Sequence, residues 1–186
     1  MIFGLVLLAL IVIVVLWVMG IYNGLVGARN EVKNSWSQID VQLKRRHDLI
    51  PNLMETVKGY MGHERGTLEA VTKARQQAVD LSGASAEDRA KVENALSQTL
   101  RTLFAVAEAY PDLKANQNFL ALQEELTSTE NKISFARQYY NDAVLRLNNR
   151  IQMFPSNIIA GMYNFSMEKF FEVEAAEDRA VPQVKF

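Results

Sequence analysis

The first 28 residues of the chain carry no charged side chain, and nearly all of them are apolar. At about 1.5 Å per residue, a helix from Ile2 to Tyr22 is roughly 30 Å long, which is the hydrocarbon thickness of a bilayer. A buried core helix would need a soluble domain large enough to surround it, and only ~160 residues remain for this. The segment is therefore predicted to span a membrane. Its membrane-spanning positions include Ile2, Leu7, Ile11, Val15, Met19 and Tyr22.

A cleaved signal peptide is the second interpretation of this segment, because Val26, Gly27 and Ala28 offer small residues where a peptidase could cut. However, no Lys or Arg precedes the apolar run, and the run exceeds the ~7–15 apolar residues that are usual in signal peptides. We therefore expect residues 1–28 to be retained as a membrane anchor and its junction.

The charges next to the anchor predict its orientation. No basic side chain precedes the apolar run, whereas Arg29 and Lys33 follow it with only Glu31 between them. The positive-inside rule then places the N-terminus outside and the remaining chain in the cytoplasm. The sequence predicts a single-pass protein of the cell membrane.

The composition excludes several classes of function. The net charge is −1, from 20 basic and 21 acidic residues, so no electrostatic field is available to gather nucleic acid. The chain has no cysteine, which excludes disulfides and thiolate metal sites. Only 9 Gly and 4 Pro interrupt it, and this composition is typical of helices.

Apolar residues recur every three, four or seven positions beyond the anchor, which predicts a series of amphipathic helices. Pro51 lies inside the first of them, so this helix either kinks there or restarts with Asp48 as its cap. Ser85 and Asp88 form a capping-box pattern for a later helix. The longest pattern runs from Phe119 to Phe154 in a near-heptad register that is typical of a coiled coil, and predicts a rod of ~36 residues, roughly 55 Å long.

Short connections between long helices make neighbouring helices antiparallel. We therefore predict an all-α protein, in which a single N-terminal transmembrane helix is followed by an elongated antiparallel bundle of three or four long helices. The predicted domains are the anchor with its junction, residues 1–28, and the helical bundle, residues 29–186.

Two stretches are more specific than a generic helix, QIDVQLKRRHDLIPNL at residues 38–53 and ELTSTENKISFARQYYND at residues 125–142. The chain resembles the LemA family of bacterial membrane-anchored helical proteins in these stretches and at Tyr110–Pro111, Phe154–Pro155 and Phe170–Glu172. The resemblance implies a bacterial protein with one N-terminal membrane helix, a short outer N-terminus and a helical bundle. The resemblance gives no biochemical activity that could be carried over to this chain.

Several polar residues border the apolar stripe of the longest helix, within roughly 20° of one direction on a helical wheel. They are Glu130, Arg137, Asn141 and Asn148. We interpret them as hydrogen-bonding residues that fix helix register, with partners on the first helix such as Asp40, Arg46 or His47. The alternative is a groove that binds a peptide or a small ligand. The basic run that contains Arg46 stands ~34 Å from the membrane interface, too far to attract headgroups directly.

The sequence offers no catalytic residue, no metal site and no cofactor site. A helical zinc site needs two histidines four residues apart, and neither His47 nor His63 has a second histidine at that spacing. Glycine-rich phosphate loops and serine-nucleophile motifs do not occur either. The aromatic stretch from Ile158 to Phe171 is interpreted as core, with an exposed binding surface as the alternative.

These observations favour a non-enzymatic membrane-anchored scaffold or adaptor that presents its bundle to a partner protein of unknown identity or to a second copy of itself. The alternative is a membrane-remodelling or lipid-sensing protein whose amphipathic segments lie on the bilayer. An enzyme or ligand-binding protein with an unfamiliar site in the bundle is the third hypothesis.

Overall fold

A computed structural model of the chain describes residues 2–171. Within this range the protein contains six helices and no strand, so the predicted all-α class is confirmed there. The helices are α1 (Ile2–Lys58), α2 (Arg65–Asp80), α3 (Ala86–Ala107), α4 (Pro111–Lys114), α5 (Gln117–Gln152) and α6 (Ser156–Met162).

The first part of α1 is long and apolar enough to cross a membrane. Its most apolar 18-residue window has a mean hydropathy of 3.3, and none of that window is buried inside the protein. The core helix of a soluble protein would be buried along such a stretch. This arrangement fits an anchor that faces lipid and not a helix that fills a protein core.

Pro51 lies inside α1, which continues to Lys58, so of the two alternatives, a kink or a restart, the restart is wrong. A proline has no backbone N–H, and the carbonyl four residues earlier, that of His47, therefore loses its helical donor. The side chain of Arg75 in α2 replaces that donor, because its Nε lies 2.8 Å from the His47 carbonyl oxygen. A side chain 28 positions away thus compensates for the proline.

The ends of the later helices follow from local capping. Ser85 Oγ accepts a hydrogen bond from the backbone N–H of Asp88 at 3.2 Å, which caps α3 at its first residues. Asn116 Oδ1 accepts from the backbone N–H groups of Asn118 and Phe119 and caps α5 in the same way. From there α5 runs for 36 residues and ends at Gln152, two residues before Phe154.

The chain forms two compact units, and α1 and α5 each contribute residues to both of them. Among the described residues, unit 1 consists of 2–41 with 133–169, and unit 2 of 42–132 with 170–171. The predicted division between residues 28 and 29 refers to the membrane and stays a prediction.

The core of unit 2 is built from α1, α2, α3, α4 and α5. Phe119 and Phe104 meet edge to face there, with ring centroids 6.2 Å apart. Apolar residues from five helices therefore bury one another in a single cluster. Its buried members are Ile50, Leu53, Met54, Val57, Met61, Leu68, Val71, Ala74, Ala78, Leu96, Leu100, Leu103, Ala107, Leu113, Phe119 and Leu126.

The apolar cluster of unit 1 joins α6 to α1. Its buried members are Leu25, Ile159 and Ala160, with Val18, Ile21, Tyr22, Ile151 and Phe165 packed around them. A Schellman turn closes α6, because Phe165 N–H donates to the Ala160 carbonyl and Asn164 N–H donates to the Gly161 carbonyl. Asn164 has a φ of 54°, a left-handed conformation that asparagine tolerates. This turn directs Phe165 back onto the cluster.

The interpretation of residues 158–171 as core holds for only part of the stretch. Ile159, Ala160 and Phe171 are buried, whereas Ile158 and Met162 expose more than half of their surface. The seven residues of α6 bury one face against α1 and leave the other face open.

Candidate functional site: a buried ionic network

A fully buried arginine marks the polar centre of unit 2. Arg46 is only 1% exposed, and it lies on the face of α1 that also buries Leu43 and Ile50. Its guanidinium forms ion pairs with Glu93 of α3 and Glu130 of α5. Burial of an unpaired arginine would be very costly, so the position of Arg46 requires these carboxylates.

Glu93 carries the buried negative charge of the network. Its side chain is 2% exposed, and its Oε1 lies 3.0 Å from Nε2 of His47. Burial raises the pKa of Glu93, but the hydrogen bond to His47 and the positive charge of Arg46 outweigh burial and hold the pKa below its usual value. The carboxylate is therefore ionised in the folded protein at neutral pH.

Ser97 links the buried part of the network to its exposed end. Its Oγ accepts from Nη1 of Arg46 at 2.7 Å and donates to Oε1 of Glu130 at 3.0 Å. The side chain of Glu130 is 41% exposed. The network therefore consists of Arg46, His47, Glu93, Ser97 and Glu130, and it reaches solvent at Glu130.

The arrangement determines which chemistry the network can perform. Both of its carboxylates contact a guanidinium, and within residues 2–171 no three His, Cys, Asp or Glu side chains lie close enough together to hold a metal ion. Three helices contribute charged groups that pair with one another, although the buried Nε of Arg46 has no hydrogen-bond partner. The network is the kind of arrangement that the register-fixing interpretation predicts, and that role stays a prediction.

An open groove lies on the surface of unit 2. Arg45 forms an ion pair with Glu125 at one side of it. The groove is open, and its lining combines amide, hydroxyl and carboxylate groups with apolar surface from Ala121 and Leu122. Its lining residues are Asn52, Glu55, Thr56, Asn118, Ala121, Leu122 and Glu125.

The structure brings some of the polar residues singled out by sequence together. Arg46, His47 and Glu130 belong to the network, whereas Asp40, Arg137 and Asn141 lie in unit 1 and are exposed or half-buried. They are not among the five network residues.

Asn148 requires a correction, because the expected partner on the first helix is wrong. Its Nδ2 donates to the Glu168 carbonyl, and its Oδ1 accepts from the Glu168 N–H, both at 2.9 Å. Asn148 therefore binds the backbone that follows α6, in the manner of a neighbouring strand residue. The nearby Tyr140 hydroxyl donates to the Lys169 carbonyl at 3.0 Å, and burial, then the charge of Glu168, raises the pKa of Tyr140 to about 12.

Sequence reasoning missed Glu93, Ser97 and Arg75. Glu93 occupies a position of the α3 stripe between the buried Ala90 and Leu96, and a carboxylate inside an apolar stripe signals a buried cation elsewhere. Arg75 had a different signal, since the proline in α1 leaves a carbonyl that needs a donor.

The predicted membrane-spanning positions divide into two groups. Tyr22 is half-buried, and its ring packs against Tyr163 with centroids 4.7 Å apart. The other five are exposed along the first part of α1, as lipid-facing residues are. They are Ile2, Leu7, Ile11, Val15 and Met19.

Comparisons with known proteins agree with the resemblance seen in the sequence. The Protein LemA of Metamycoplasma hominis is 28% identical over 160 residues, covering 83% of this chain and 72% of that protein. Magnetosome protein MamQ 2 of Paramagnetospirillum magneticum is 22% identical, covering 86% and 68%. Magnetosome protein MamQ of Magnetospirillum gryphiswaldense is 20% identical, covering 88% and 70%. The model of the LemA family matches residues 35–186, and the chain therefore belongs to the LemA family.

Proposed function

We propose that this chain is a non-enzymatic, single-pass membrane protein of bacteria that presents a cytoplasmic bundle of long helices as a scaffold for other proteins or for a second copy of itself. The single observation that carries the proposal is the continuity of α1. The helix passes from an unburied apolar segment directly into the packed core of unit 1.

This continuity supports a retained anchor. Leu25 is buried in the core of unit 1, and Tyr22 packs against Tyr163. Cleavage near Ala28 would remove both of these side chains from the packed unit. A signal peptide has no such structural role, because it leaves before the mature protein folds.

The proposed orientation rests on cations at one end of the anchor. Arg29 and Lys33 are exposed and follow the apolar segment. Arg150 joins them in space, because its guanidinium donates to the carbonyl oxygen of Gly24. Three cations at this end support a cytoplasmic location for the bundle.

The scaffold role rests on how unit 2 uses its charges. Arg46 and His47 both pair with Glu93 in the interior, and none of the three lines the open groove. The groove between Asn52 and Asn118 is open, which suits a peptide or helix surface better than an enclosed substrate. An antiparallel arrangement of the long helices would display such surfaces along the bundle.

Site-specific photocrosslinking in living bacteria tests this proposal. A photoreactive side chain replaces Asn118 in the groove or, as a control, Asp80 at the exposed end of α2, each in the full-length chain. We expect discrete protein adducts from the groove position that the control does not give, identified by mass spectrometry. A chain that resides in the membrane but gives no protein adduct from the groove would contradict the scaffold role.

Membrane remodelling is the second candidate function, and the exposed apolar face around Phe154 and Met162 favours it. Reconstitution of the full-length chain into vesicles of known diameter tests it directly. A remodelling protein tubulates or shrinks the vesicles, whereas a scaffold leaves their diameter unchanged.

A further inference from the structure

The segment that connects α5 to the end of unit 1 is apolar, uncharged and exposed. No Asp, Glu, Lys or Arg occurs from Ile151 to Met167. Phe154 is 79% exposed and Met162 is 69% exposed. Met153, Ile158, Tyr163 and Met167 also expose more than half of their surface. A soluble surface rarely concentrates so many large apolar side chains.

The position of this segment, which we call the apolar corner (residues 151–167), is set by the anchor. Ile159 and Ala160 pack on Leu25 of α1, with Val18 and Ile21 beside them. Its buried face therefore contacts the end of the membrane-spanning segment.

The depth of this contact follows from helix geometry. Along α1, Val18 lies ~24 Å and Leu25 ~35 Å from Ile2, and the hydrocarbon layer is ~30 Å thick. The apolar corner is therefore held at the boundary between hydrocarbon and headgroups. Tyr22 and Tyr163, in ring contact at this level, are residues that favour the interface.

Two arginines border the corner. The Arg29 guanidinium lies 5.0 Å from the ring centroid of Phe165, and Arg150 immediately precedes the uncharged segment and donates to the Gly24 carbonyl. Both therefore stand near the level of the phosphates, where a cation attracts anionic lipids.

We propose that the apolar corner inserts into the interfacial layer of the bilayer beside its own anchor, with Phe154, Ile158 and Met162 among the acyl chains and Arg29 and Arg150 near the headgroups. This inference goes beyond the scaffold role but rests on the proposed membrane-spanning anchor. The occupant of the exposed face is lipid, because that face continues the apolar surface of α1 at the same depth. A protein partner would have to displace the lipid that already surrounds the anchor.

Spin-label accessibility measures the depth of insertion. Because the chain has no cysteine, each label can be introduced at one engineered cysteine in the full-length protein. The labelled positions are Phe154→Cys and Ile158→Cys in the corner, Leu8→Cys in the anchor, and Phe135→Cys as the control. Phe135 is a matched control, because it is a phenylalanine of unit 1 with 73% exposure that lies ~25 Å before the end of α5.

The proteins are reconstituted in phosphatidylcholine vesicles that contain phosphatidylglycerol. For each label we compare two collision rates, one with oxygen, which concentrates in lipid, and one with a water-soluble nickel complex. We expect the ratio of the oxygen rate to the nickel rate to be several-fold higher at residues 154 and 158 than at residue 135. Corner ratios equal to that of residue 135, with residue 8 in lipid, would overturn the inference and leave the anchor intact. A water-exposed label at residue 8 would overturn the anchor and the inference together.

Discussion

The substitution Arg46→Met isolates the contribution of the buried ionic network to stability. Methionine retains much of the arginine side-chain volume but leaves the buried Glu93 carboxylate without its guanidinium partner. Removal of one member of a buried ion pair typically lowers the free energy of unfolding by ~3–5 kcal/mol. With a urea m-value of about 2 kcal/mol per molar, a loss of ~4 kcal/mol lowers the unfolding midpoint by about 2 M.

The adjacent residue provides a matched control. Arg45 also forms an ion pair, with Glu125, but its side chain is 49% exposed. Exposed pairs contribute ~0–1 kcal/mol, so Arg45→Met is expected to lower the midpoint by less than about 0.5 M. Both variants are the full-length chain in non-ionic detergent micelles, and far-UV circular dichroism follows unfolding of the helices in urea.

The comparison also includes the double variant Arg46→Met with Glu93→Leu. The double variant leaves no buried unpaired carboxylate, because the remaining carboxylate, Glu130, is 41% exposed and can be solvated. It should therefore be more stable than Arg46→Met alone. Equal midpoints for Arg45→Met and Arg46→Met would refute the conclusion that the buried pairing stabilises unit 2.

Three further results are expected. The pKa of Glu93 is lower in the folded than in the unfolded protein, so its contribution to stability is complete above its ordinary pKa of 4.5 and is lost as the pH falls through the folded value. The urea midpoint should therefore fall more steeply on acidification for the parent protein than for Glu93→Gln. Arg75→Met should lose ~1–3 kcal/mol of unfolding free energy, because the His47 carbonyl loses its donor. The loss should be smaller in a Pro51→Ala background, where the backbone N–H of residue 51 can pair with that carbonyl. Equal losses from Arg75→Met in the two backgrounds of this double-mutant cycle would contradict the compensation. Asn164→Val should lose ~1–2 kcal/mol in the same urea assay, whereas Asn164→Gly should not.

The long helices α3 and α5 were predictable from sequence because their signals are local. Hydrophobic spacing and the residues before prolines indicated a rod of ~36 residues, and α5 has 36. The serine before α3 was recognisable as a cap for the same reason, since cap and N–H lie three positions apart. Such signals need no knowledge of distant residues.

The partners of the buried charges were not predictable in this way. Arg46 binds residues 47 and 84 positions away, and the choice among many glutamates depends on how three helices align. The partner of Asn148 was not predictable for a different reason, because it is the backbone at Glu168, in a segment without regular periodicity. Amphipathic patterns predict which face is buried but do not specify which helix covers it.

The apolar corner shows why burial cannot be inferred from composition alone. Ile158 and Ile159 are identical in type and adjacent in sequence, yet one is exposed and the other packs on α1. A rule that places apolar residues in a protein core treats water as the only solvent, whereas a chain with a membrane-spanning helix has two. The face that contains Ile158 need not be covered by protein if it meets lipid, and its residues then tie the end of α5 to the bilayer independently of the anchor helix.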